Sequence, residues 1–446
     1  QPGLALSWEQ ADDGLSWLFK LREGVKFHDG EEMTAEDVRF SLMEGFTREG
    51  STSAKATTYR KRLKEVEVVD DHTARIHTNG PWINLPFMLS TFGGIEGVVL
   101  PSHYIQEVGW DGYEDNPIGT GPWTFVQFET GNMIEFEAND DYWGGKPKFD
   151  RLQVLLVPEG STRIAMLQAD EVDIADVGLD QAAGVESSGF TIAEYPIRAT
   201  VRINLWGTYE EGWSPHYSDP VPTASKQVRQ ALNLAINRQE MVDTIFVGRG
   251  DPAAITQGSH SIGYQDLEPY PFDPARAKQL LAEAGYPNGF DMKIFSYGAG
   301  PFPSFQQVAE AAAGYWQAIG VNVAIVPTDL GVMRPKYFGK MPQDKSIIGN
   351  AGVIGLPTGL SGLSDLNIWF NLKGGNMKLA GTTAHEATFE AEAATNLADQ
   401  VTAVQKAFRV LYDDYRNVPI AHTPGSLWAY GNRLGSVDPQ PSLSSA

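Results

Sequence analysis

Hydrophobic positions along this chain switch repeatedly between a period near 3.6 residues and a period of two. Between Val228 and Phe246 the sequence reads VRQALNLAINRQEMVDTIF, with Val228, Ala231, Leu232, Ala235 and Ile236 at i, i+3, i+4, i+7 and i+8. One stripe of an amphipathic helix carries all five. FDPARAKQLLAEAGYPNGF adds end signals: Asp273 suits an N-cap, Pro274 the first helical position, and Gly285 a stop. FDMKIFSY, SFQQVAEAAAGYWQAIG and VNVAIVP then predict strand, helix and strand in order, which makes a βαβ unit and a partly parallel sheet. A late helix is predicted over Thr395–Tyr415.

The first half alternates instead. LSWLFKLREGVKFHDG predicts short strands ending in an Asp-Gly turn, where His28 is a turn residue. Thr34, with Asp37 three residues later, makes a capping pattern for a helix whose apolar stripe is Val38, Leu42 and Phe46. EVEVVDDHTARIHT (Glu65–Thr78) and WTFVQFETGNMIEFEA (Trp123–Ala138) predict two hairpins. RLQVLLV (Arg151–Val157) predicts a buried strand, and STRIAMLQADEVDIAD a helix from Ser161 followed by a strand at Val172–Ile174. The stretch 349–362 is glycine-rich and reads as a loop.

Composition narrows the function. Hydrophobic residues are 42% and charged residues 20%, a folded rather than a disordered balance, and 446 residues suffice for two or three domains. The formal charge of -22 disfavours nucleic acid and anionic lipid as partners. Without cysteine there are no disulfides, thiolate metal sites or Cys nucleophiles. No apolar run is long enough to span a membrane. The start, Gln1-Pro2-Gly3-Leu4, has neither the basic end nor the apolar core of a signal peptide, so the chain reads as processed or truncated there.

Candidate chemistry is sparse. GNAGVIG (Gly349–Gly355) lacks the Gly-Lys-Ser/Thr ending of a phosphate loop. The eight His form no zinc-like spacing, and there is no Gly-x-Ser-x-Gly elbow. The pairs Asp12-Asp13, Asp70-Asp71 and Asp140-Asp141 sit in turn contexts. Rigid corners and aromatic clusters without a reactive constellation suit a binding protein, with neither enzymatic activity nor a resident cofactor or metal expected. A glycoside hydrolase is the alternative from another class, and would need two convergent carboxylates.

Five blocks in order carry a resemblance: PGLALSWEQADDGLSWLFKLREGVKFHDGEEMTAEDVRFSL, NPIGTGPWTFVQFETGN with NDDYWGGKPKFDRLQV, STRIAMLQADEVDIAD, VRQALNLAINRQEMV and YPFDPARAKQLLAEAGYPNGF. Together they resemble the extracellular solute-binding proteins of family 5, the peptide/nickel class that serves ABC importers, from Gln1 to about Arg433. The resemblance implies an α/β, periplasmic-binding-protein-like fold, two lobes with a hinge plus an extra small domain. It divides the chain into 1–138 (small domain with a remnant of lobe 1), 139–247 with 425–446 (lobe 1) and 248–424 (lobe 2). It implies a monomer in the periplasm, or lipid-anchored outside the cell, that captures a peptide or similar small polar solute and hands it to a membrane permease. Oligosaccharide and nickel or metal-chelate ligands are the alternatives within the family.

The resemblance further implies that Gly119–Trp123 and Tyr142–Gly145 are structural corners and turns. Family members start upstream of this point, which implies a missing first segment. Peptide binders of the family carry a Trp and, three residues on, an Asp that pairs with the peptide ammonium; Asn350 and Val353 stand there in this chain, with Asp365 the nearest acid downstream. Matched positions give the cleft candidates. Phe92, Gly93 and Gly94 belong to a loop of the small domain, and Asn204 and Trp206 to the return of the first lobe. Arg334 and Lys336 are candidate cations for a carboxylate, and Asn350, Trp369, His422 and Trp428 candidates for hydrogen bonding or stacking.

Overall fold

The computed structural model describes residues 3–49, 51, 56–90, 97–195, 198–207, 221–297, 305–337, 344–357, 361–370 and 382–438. The chain divides into two compact units, residues 1–159 with 393–397 and 442–446, and residues 160–392 with 398–441.

The first unit holds two antiparallel sheets. Strands β1 (Ala5–Gln10), β2 (Ser16–Leu21), β3 (Leu63–Asp70) and β4 (Thr73–Thr78) form one, in the order β1-β2-β4-β3. The predicted hairpin around Asp70-Asp71 is β3–β4. Its inner face, with Trp17, Phe19, Ala74 and Ile76, shares a core with Phe40, Tyr59, Trp82 and Leu85. The helix Ala35–Phe40 starts as Thr34 and Asp37 predict: the Asp37 carboxylate accepts from the Thr34 backbone N–H at 2.8 Å. The other Asp37 oxygen accepts from Ser102 N–H (3.0 Å) and Oγ–H (2.7 Å), so one buried acid caps the helix and ties down a distant segment.

Strands β5 (Trp123–Glu129), β6 (Met133–Ala138) and β7 (Arg151–Leu155) form the second sheet, in that order. Cross-strand partners share a face. Phe125, Phe136 and Leu152 lie on one face with Phe128, Ile134 and Val154, whereas Gln127, Glu135 and Gln153 lie on the other. The strand predicted to be buried, Arg151–Val157, is instead an edge strand whose Val154 is 51% exposed. A continuous apolar run marks burial only where neighbours cover both faces, and β7 has a strand partner on one side alone among the described residues.

The corner Gly119–Trp123 is pinned from three directions. His28 accepts from the Gly119 N–H through Nδ1 (3.2 Å) and donates from Nε2 to the Gly121 carbonyl (3.0 Å), which sets its neutral tautomer. Asn139 Nδ2 donates to the same carbonyl, and Trp143 Nε1 donates to Thr120. The Arg22 guanidinium lies 4.7 Å from the centre of the Trp143 ring. Polar side chains thus satisfy the backbone of a tight turn that has no ladder of its own.

In the second unit, β8 (Ile174–Val177), β9 (Thr191–Glu194) and β16 (Leu427–Tyr430) make a three-stranded sheet. β10 (Arg198–Leu205), β11 (Asp251–Pro252), β12 (Asp291–Tyr297), β13 (Asn322–Thr328), β14 (Ala351–Pro357) and β15 (Asn417–Pro424) make a six-stranded sheet in the order β11-β15-β10-β14-β12-β13. β12 and β13 are parallel, joined through the helix Phe305–Ala318, so the predicted βαβ unit is present. Helices also run over Lys226–Leu234 and, capped by Asp273, over Pro274–Glu283. The late helix spans Leu397–Asp413, while the short strand predicted at Val172–Ile174 starts two residues later, at Ile174.

The glycine-rich stretch read as a loop contains β14. Its glycines are steric requirements of a central strand. A Cβ on Gly352 would lie 2.3 Å from Trp206 Cη2, and one on Gly355 would lie 2.6 Å from Phe305 Cε1. Large rings press on both faces of β14, and only a strand without side chains at those two points lets them in.

Arg238 joins helix to sheet. It is 3% exposed, and its guanidinium donates to Pro419 O (2.7 Å), Asn233 O (3.0 Å) and Asn233 Oδ1 (2.8 Å). Burial pushes it down to about 10.

Candidate functional site

β10 runs through the middle of the six-stranded sheet, and its two faces differ chemically. Ala199, Val201, Ile203 and Leu205 point one way into the apolar core. Thr200, Arg202 and Asn204 point the other way and are 0%, 2% and 0% exposed. Burying three polar side chains on a central strand is costly unless hydrogen bonds compensate. The second unit has another buried polar set, Thr223, Arg229, Asn233 and Arg238, around the helix Lys226–Leu234, but the strip on β10 lies on the sheet itself.

One end of the strip is tied up. Thr200 Oγ1 donates to the Thr256 carbonyl at 3.0 Å and therefore accepts from His422 Nδ1 at 2.9 Å. His422 sits directly across the ladder from Thr200, so its Nδ1 carries the proton. In the middle, Arg202 Nε donates to Asn204 Oδ1 at 3.3 Å. At the far end Asn417 pairs with Asn204 across the β10–β15 ladder. The segment that follows β11 adds Gln257, fully buried, whose amide oxygen and nitrogen have no partner among the described residues. Thr256 Oγ1 and Ser261 Oγ are in the same state. Gly362 makes room for this amide: a Cβ there would lie 2.0 Å from Gln257 Nε2. Asp365 is buried one helical turn beyond Gly362.

The structure brings Asn204, Trp206 and His422 onto one strand-face system and leaves other candidates elsewhere. Trp206 is fully buried, its ring 5.9 Å from that of Phe295 and against Gly352, so it is packed in the core. Lys336 and Asn350 gather at the turn 344–350. Lys336 Nζ donates to Ser346 Oγ at 3.2 Å. Asn350 Oδ1 accepts from the Lys293 N–H at 2.8 Å, and its Nδ2 donates to Ile348 O at 3.2 Å. The Asn350 amide thereby closes a turn and fastens it to β12. Trp428 is half-buried on β16, with the Tyr195 ring 6.3 Å away. Phe92, Gly93 and Gly94, and the side chains of Arg334 and Trp369, lie outside the described residues.

Sequence reasoning missed Thr200, Arg202, Gln257 and Asn417. The first two carried a signal: in RATVRINL every second residue from Thr200 is polar, the period of a two-faced strand. Gln257 and Asn417 carried none, because their company comes from segments distant in sequence.

The α/β architecture is that of the periplasmic binding proteins. One solved structure, HbpA2 from Haemophilus parasuis, superposes with a TM-score of 0.78 at 27% identity, covering 96% of this chain and 86% of that one. The model of bacterial extracellular solute-binding proteins, family 5, matches residues 1–344, and the chain belongs to that family. Heme-binding protein A of Haemophilus influenzae is 30% identical over 95% of this chain and 79% of its own length. Di/tripeptide-binding protein 2 of Pseudomonas aeruginosa is 29% identical over 74% of this chain, which spans 64% of that relative. The family consists of substrate-binding proteins rather than enzymes, and its name places it outside the cell membrane. Among the described residues no helix is long and apolar enough to cross a membrane.

Proposed function

We propose that this chain captures a peptide or a similar small polar solute by closing two lobes over it and delivers it, as a monomer, to the membrane permease of an ABC importer. In this reading 1–138, 139–247 with 425–446, and 248–424 act as small domain, lobe 1 and lobe 2. The protein works in the periplasm or lipid-anchored outside the cell. The carrying observation is the buried polar strip of Thr200, Arg202 and Asn204 with Gln257 beside it, hydrogen-bonding groups whose one hydroxyl, that of Thr200, gives its proton to the Thr256 carbonyl rather than to a base. Such groups orient a ligand without transferring a proton. Closure follows if ligand contacts both lobes and so binds the closed state more tightly than the open one.

The relative aligned over 95% of the chain, a heme-binding protein by name, supports heme as a second reading. A thermal-shift screen separates them. The panel holds alanyl-alanine, longer peptides, ferric heme, oligosaccharides, opine-like amino-acid conjugates and nickel chelates. A true ligand at a hundred times its Kd adds about 2.7 kcal/mol of stability. Stabilisation by peptides supports the first reading and by heme alone the second. Stabilisation by no member of the panel overturns both.

A further inference from the structure

The far end of the polar strip has a chemical bias that the fold does not require. The bond from Arg202 Nε uses Asn204 Oδ1, and because a guanidinium only donates, it also fixes which way the Asn204 amide points. Asn204 Nδ2 is left as a donor, and no described residue accepts from it. Directly across the ladder, Asn417 Nδ2 is in the same position. Asn204 is 0% and Asn417 6% exposed, so bulk water does not serve either group. Facing cross-strand side chains lie within about 4.5–5.5 Å at Cβ, close enough for one ligand group to meet both.

We propose that Asn204, oriented by Arg202, and Asn417 form a subsite for an anionic oxygen group of the ligand, a carboxylate. The inference rests on the solute-binding reading above and deepens it. Two amide donors complement a carboxylate, which accepts through both oxygens. The same pair offers an ammonium no acceptor, because both sides would bring only donors. The chain thus selects its solute by the acid end.

The test uses the whole chain and small probes at constant ionic strength. Thermal stability is followed against sodium acetate, methylammonium chloride and sodium chloride, for the wild type and for Asn204→Asp and Asn417→Asp. Acetate is expected to raise Tm saturably in the wild type, with no saturable effect of methylammonium. Each Asp variant replaces a donor by a negative acceptor at nearly constant volume, and should weaken the apparent acetate affinity about tenfold or more. Equal effects of acetate and methylammonium, no saturable effect of acetate, or an acetate response unchanged in both variants would each overturn the subsite. If neither variant folds, the wild-type comparison of acetate with methylammonium decides. A wild type that binds a panel solute yet fails the acetate test keeps its capturing role and loses the carboxylate subsite.

Discussion

Gly352→Ala tests the packing that holds the binding strip in place. Gly352 lies opposite Asn204 in the β10–β14 ladder, and its missing side chain is the floor on which the Trp206 indole rests. An added Cβ would sit 2.3 Å from Cη2 and 3.0 Å from Cζ2 and Cζ3. The first distance is short of an ordinary carbon–carbon contact, about 3.5 Å, by roughly 1.2 Å. The indole cannot swing into water, because it is fully buried with Phe295 beside it. Either the ring tilts or β14 moves away from β10, and overpacking of this kind costs about 1–3 kcal/mol. Urea unfolding followed by circular dichroism would measure the loss. Gly184→Ala is the matched control in the same unit, since nothing lies within 4 Å of its Cβ and it sits in the helix Leu179–Ser187. There the substitution should gain about 0.5–1 kcal/mol. A smaller side chain at position 206 should relieve the clash, so Gly352→Ala should cost less in a Trp206→Leu background than in the wild type. A Gly352→Ala protein within about 0.5 kcal/mol of the wild type, or equal costs in the two backgrounds, would refute the steric account of why this strand is rich in glycine.

Other outcomes follow from single contacts. His28→Ala removes both imidazole bonds to the Gly119–Gly121 corner, and should destabilise the first unit by about 1–3 kcal/mol in a thermal melt. Asp273→Ala removes the cap bond to the Arg276 N–H and should cost about 1 kcal/mol in urea unfolding. The Glu36 carboxyl is held below its usual 4.5, chiefly by its hydrogen bonds from Arg39. Its folded form binds its proton less readily than the unfolded form, so this contribution is present above pH 4.5 and fades as acid protonates it. Glu36→Gln should lower stability most above pH 4.5, where the contribution is fully present, and the gap to the wild type should close as the pH falls, which flattens that part of the acid limb in a stability–pH series.

Much of the architecture is determined locally, and the sequence by itself determines it. The helix Pro274–Glu283 begins at Asp273 because its cap, its first-turn proline and its apolar stripe all agree. The parallel pair β12–β13 follows from a strand, a helix and a strand in series, since short connections and chain chirality leave little choice. Hairpins declare themselves through alternation broken by a turn, as around Asp70-Asp71. Even the polar face of β10 is written in the alternation of Thr200, Arg202 and Asn204.

What only the tertiary structure decided depends on partners far away in the chain. Gly352 and Gly355 look like loop residues until Trp206 and Phe305 are seen on either side of them. β7 looks buried until its neighbours are counted in space. That the Asn350 amide closes a turn onto Lys293 is likewise visible only in the fold. Above all, Asn204 and Asn417 are 213 positions apart by their numbers, and only the β10–β15 ladder makes them opposite one another. A sequence states what each residue can donate or accept. Which donors are left over after folding depends on distances that no local pattern encodes.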